Sequence, residues 1–137
     1  MKKIIILLSV LLGFISCSTV KEIPSDLSAA QLLQLGQNAF ESKNYKAAEK
    51  YFMTTIQRFG TNTNNYIEAQ YELAHLYNTT KQYQKAYNIY NEILQMYDYS
   101  FDLPGAYKKL CQIGLSKIPK EKIAQFQNGS TTPEATE

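Results

Sequence analysis

The chain has 137 residues, 45% of them apolar, 12% aromatic and 19% charged, which suits one folded domain. Its 14 basic and 12 acidic side chains leave a net charge of only +2, which excludes the electrostatic footprint of a nucleic-acid binder. A single histidine, His75, with no partner in sequence to orient it, offers no triad or metal-hydrolase constellation, and no glycine-rich phosphate loop follows a strand.

The first element is a leader. Lys2 and Lys3 precede an apolar run from Ile4 to Ile15, interrupted by Ser9 and Gly13. Such a run is too short to span a bilayer, which takes about 20 helical residues. A charged start, a short apolar middle and a small residue before a cleavage point fit a secretory signal over residues 1–16. Phe14-Ile15-Ser16-Cys17 resembles a bacterial lipobox, although Phe14 stands where Leu is more usual. The resemblance implies diacylglycerol on the Cys17 sulfur and a further acyl chain, such as palmitate, on its amine. Two or three acyl chains anchor stably where one does not. Loss of Lys2 and Lys3 with the signal would cancel the +2. Residues 17–26, polar and containing Pro24, read as a lipidated tether. Cys111 then lacks an intramolecular partner and, on an apolar helical face, reads as a small buried hydrophobe.

Residues 27–127 carry helical period throughout, and the expected class is all-α. A first helix from Leu27 places Leu32, Leu33, Gly36, Ala39 and Phe40 on one side. Glu41 to Asn44 form a turn, with Asn44 as N-cap of a second helix through Ala48, Phe52 and Ile56, ended by Gly60. Thr61 to Asn64 read as loop, and Asn65 with Glu68 as the start of a third helix. Asn78 to Lys81 turn the chain into a fourth helix through Tyr83, Ala86, Tyr90 and Leu94. A fifth helix follows Asp102-Leu103-Pro104 and breaks at Ile118-Pro119, and residues 120–127 form a short last helix. Residues 128–137 lack apolar content and read as a disordered tail.

The two helix pairs repeat. Leu35, Gly36, Tyr45, Ala48, Phe52 and Ile56 match Leu73, Ala74, Tyr83, Ala86, Tyr90 and Leu94 at a constant offset of 38 residues. This resembles the tetratricopeptide repeat: a small residue in helix A (Gly36, Ala74), an aromatic at the turn (Tyr45, Tyr83), then an alanine (Ala48, Ala86) and a bulky aromatic (Phe52, Tyr90) in helix B. Thr55 and Ile93 depart from the family's later small residue. The spacing also exceeds the usual one of about 34, so one extra helical turn falls between Phe59 and Ile67. The resemblance implies a solenoid of about two repeats, with the fifth helix as cap.

It also implies function. In that family the helix-A face forms a groove for a partner segment. The groove places fall on Ala30, Leu33, Gln37, Phe40 and Glu41, and on Glu68, Tyr71, His75, Asn78 and Thr79, with Phe40 and Tyr71 as aromatic anchors. A lipidated chain of this kind resembles the BamD-like lipoproteins of the outer membrane, facing the periplasm. Their implied role is a non-enzymatic scaffold for β-barrel protein assembly, with protein partners, a membrane anchor and no cofactor. The same features also suit an adaptor for pilus or secretin assembly or envelope growth, and a surface lipoprotein that binds an external ligand.

Overall fold

The computed structural model describes residues 22–100 and 102–129. The expected signal, Cys17, the tether as far as Lys21 and the tail from Ser130 lie outside these residues. Among the described residues there are six α-helices and no strand: α1 (Ala29–Glu41), α2 (Tyr45–Phe59), α3 (Thr63–Thr79), α4 (Tyr83–Tyr99), α5 (Gly105–Ser116) and α6 (Lys120–Gly129). The all-α expectation holds. None of the described helices is long and apolar enough to cross a membrane.

The first three helices begin where a side chain can satisfy their free N–H groups. Ser28 caps α1 in a full capping box with Gln31. Asn44 caps α2 by accepting from the Ala47 amide. The expected cap of α3 is corrected. Asn62, not Asn65, accepts from the Asn64 and Asn65 amides, and the helix starts at Thr63. That start supplies the extra turn: α3 has 17 residues where α1 has 13.

The turns after α1 and α3 are copies of one another. Asn44 N–H donates to Ala39 O and Lys43 N–H to Phe40 O; Gln82 N–H donates to Tyr77 O and Lys81 N–H to Asn78 O. This is the Schellman pairing that closes a helix C-terminus. It requires a left-handed residue, and the residues there are lysines: Lys43 at φ 61° and Lys81 at φ 62°. Gly60, by contrast, sits at φ −69° in ordinary helical space. What excludes a side chain at Gly60 is proximity, since a Cβ there would lie 2.4 Å from the Ile56 carbonyl oxygen.

Packing follows chain order from α1 to α5. Each of these helices lies against the next, α1 and α5 both flank α3, and α6 lies on α4 rather than on α5. The core between them contains Ala48, Phe52, Ile67, Ala69, Leu73, Ala74, Ala86, Tyr90, Ile93 and Cys111. Gly36 lets the Phe52 ring approach so closely that a Cβ would meet its Cε1 at 2.3 Å. Gly114 receives Tyr90 in the same manner, with Cζ at 2.4 Å from the added carbon. Thr55, fully buried, satisfies its hydroxyl by donating to the Tyr51 carbonyl (3.0 Å). Tyr87 packs on Phe126, with ring centroids 5.5 Å apart, which seats α6.

Both ends of the folded region differ from expectation. Ile23 is buried, and the Arg58 guanidinium donates to the carbonyls of Ile23 (3.0 Å) and Pro24 (2.6 Å). The segment before α1 is thus clamped to the end of α2 from Ile23 onward, ahead of the expected start at Leu27. At the other end, α6 carries the chain through Asn128 and Gly129.

Candidate functional site

The odd-numbered helices share a surface. On it, Gln37, Phe40 and Glu41 of α1 and Tyr71, Glu72 and His75 of α3 line a cleft of about 350 Å³. Gln37, Phe40, Glu41, Tyr71 and His75, all expected to line a groove, therefore meet in one place. The spacing explains this: Gln37, Phe40 and Glu41 fall on one face of α1, and Tyr71 and His75 are one turn apart on α3.

The cleft is walled by rings. Phe40 and His75 lie 5.1 Å apart between centroids, tilted by 41°. His75 and Tyr71 are nearly parallel, 6.2 Å apart with an interplanar angle of 6°. Tyr71 continues to Tyr107 of α5 at 5.4 Å, and Phe40 to Tyr45 at 5.6 Å. A ladder of aromatic groups thus crosses α1, α3 and α5. Beneath it, Tyr71 touches the buried Tyr90, 6.2 Å between centroids.

The polar groups are positioned around the rings. Gln37 Nε2 donates to Glu72 Oε1 at 2.9 Å, bridging α1 and α3. Burial holds the His75 pKa below its usual value; Glu72 pulls it upward and Lys117 downward. The imidazole is therefore neutral at pH 7. Burial raises the Tyr71 and Tyr107 hydroxyl pKa values, helped by Glu72 at Tyr71 and by Glu68 and Glu72 at Tyr107. Both stay protonated donors.

Other expected groove residues lie elsewhere. Leu33 is corrected: it is 5% exposed and belongs to the core, because the buried side of α1 takes in Leu32 and Leu33 together with Gly36. Asn78 is half-buried and donates its amide to the Gly114 carbonyl (3.0 Å), tying α3 to α5. Glu68 stands outside the cleft beside Tyr107, extending the acidic edge toward α5. Ala30 and Thr79 are exposed and take no part in lining the cleft. Glu72 and Tyr107 were not among the expected residues. Glu72 is visible only once α1 is set against α3, and Tyr107 only once α5 is.

The Tyr90 hydroxyl is buried and has no hydrogen-bond partner among the described residues. The neighbouring Asn78 amide donates to the Gly114 carbonyl. Cys111 is a free, fully buried thiol, and burial pushes its pKa up to about 12, so it is not a thiolate nucleophile at neutral pH. Among the described residues no group of three or more His, Cys, Asp or Glu side chains could hold a metal ion.

Comparison with known proteins gives a likeness to an uncharacterized protein of Treponema pallidum (strain Nichols), 35% identical over 130 residues and covering 92% of this chain. The chain spans about half of that protein's length, 52%. No family model matches the sequence. No solved structure matches it either.

Proposed function

We propose that the chain is a membrane-anchored scaffold of the tetratricopeptide kind, which docks a segment of a partner protein on the surface of α1, α3 and α5. The observation that carries this reading is the ring-walled cleft, lined by the partly buried rings of Phe40, Tyr71 and His75, with Phe40 and Tyr71 packed on the edge of the core. Aromatic groups held rigidly by neighbours suit a binding anchor, since they gain area with little loss of freedom. The duplicated Schellman turns and the 38-residue offset support the repeat character. The lipobox-like Phe14 to Cys17 supports the anchor. Among such scaffolds, we favour a component of the outer-membrane β-barrel assembly machinery, facing the periplasm.

The test is cross-linking in membranes followed by purification of the chain. A β-barrel protein with periplasmic domains should co-purify with the wild type. Phe40→Ala and Tyr71→Ala should reduce its recovery while retaining helical circular dichroism. Recovery of a different envelope complex would reassign the scaffold, and equal recovery with both variants would remove the cleft from the interface. Cys17→Ser should release the chain from membranes; a variant that still sediments with membrane and carries lipid label would refute the anchor.

A further inference from the structure

We propose that the cleft between α1 and α3 receives a lysine or arginine side chain from an extended segment of the partner. This rests on the docking surface proposed above and adds the chemistry of its occupant. Three carboxylates edge the ring ladder: Glu41 on α1, and Glu72 and Glu68 on α3. A cation, Lys117, also acts on this region, and its charge reaches His75. With His75 neutral, these groups sum to a negative charge around an aromatic wall.

That combination selects a cation. A ring face attracts an ammonium or guanidinium within about 6 Å of its centroid, and more strongly where the site is shielded from water. This chain already uses that contact within itself: Lys85 Nζ stands 4.7 Å over the Tyr77 ring, and Lys108 Nζ 6.0 Å over Tyr97. Phe40 and Tyr71, partly buried, line the cleft with carboxylates beside them. Gln37 fixes one oxygen of Glu72, so the carboxylate is oriented before a ligand arrives. An acidic occupant would meet like charge, and a purely apolar one would strip water from Glu72 without replacing it. A volume of about 350 Å³ admits one long side chain, with the rest of the segment running along the surface.

The experiment is panning of a phage-displayed random decapeptide library against the full-length chain in detergent. Tyr71→Ala, Glu72→Gln and Glu41→Lys are panned in parallel. The wild type should enrich peptides carrying Lys or Arg several-fold above their library frequency. Glu72→Gln should weaken that preference and Glu41→Lys should abolish it. In a synthetic copy of the leading peptide, replacing its basic residue by Gln should lower affinity at least tenfold by fluorescence anisotropy. Neutral or acidic sequences that depend on Tyr71 would overturn the cationic occupant and leave the docking surface standing. Sequences indifferent to all three substitutions would overturn both. Glu41 is exposed, so Glu41→Lys tests the cationic occupant even if Tyr71→Ala fails to fold.

Discussion

Lys81→Gly should stabilise the protein. Lys81 closes α3 at φ 62°. A side chain there brings Cβ against the following carbonyl, at about 1–2 kcal/mol per non-glycine residue. Glycine removes that strain but adds freedom to the unfolded chain, which offsets about 0.4–1 kcal/mol. The net gain is about 0.5–1 kcal/mol, a rise in Tm of a few degrees for a domain of this size. Lys43 holds the equivalent position at φ 61°, so Lys43→Gly should give the same gain, and the double variant about twice as much. Urea unfolding followed by circular dichroism measures it. Lys81→Ala is the control, because it removes the charge and keeps the strain. If Lys81→Gly is no more stable than Lys81→Ala, the left-handed turn is not a source of strain.

Three further outcomes follow from packing and protonation. Gly36→Ala should destabilise by about 1–3 kcal/mol through overpacking, because the new methyl meets the fully buried Phe52 ring; adding Phe52→Leu should recover part of the loss, and a neutral single variant would contradict the contact. Tyr90→Phe should raise stability by about 1 kcal/mol, since it removes a buried hydroxyl with no partner; a destabilised variant would reveal a hydrogen bond to that hydroxyl. Burial depresses the His75 pKa in the folded state, so below about pH 6.5 the unfolded chain binds a proton that the folded chain does not. Stability should therefore fall as pH drops from 7 toward 5.5, and His75→Gln should flatten that slope. An unchanged slope would assign it to other groups.

Much of this arrangement is legible in the sequence. Helical period locates all six described helices, and Asn44 is recognisable as a cap because it directly precedes the second apolar pattern. The start of α3 is less so. Thr61, Asn62, Thr63, Asn64 and Asn65 all favour caps, and local preference cannot choose among them. The left-handed lysines are invisible for a related reason. Local preference assigns that conformation to glycine, and here the fixed approach of two helices imposes it on whichever residue falls at the corner. In the cleft, residues on one helix face are readable from spacing, which is why Gln37, Phe40, Glu41, Tyr71 and His75 group as expected. The depth of a residue on that face is set by the neighbouring helix, so Leu33 reads as surface and is core. Contacts distant in sequence, such as Arg58 with Ile23 and Pro24, leave no local trace.

The Arg58 clamp gives the proposed anchor a geometry. With Ile23 and Pro24 fastened to the end of α2, the chain from Cys17 to Ile23 can stretch at most roughly 21 Å at about 3.5 Å per residue. A lipid on Cys17 would then work as a short mooring rather than a long leash, with the corner between α2 and α3 nearest the bilayer. The domain would pivot about that corner and meet partners by sweeping sideways in the plane of the membrane. Replacing Arg58 would free the two carbonyls and lengthen the mooring, loosening the orientation of the cleft without altering any residue within it.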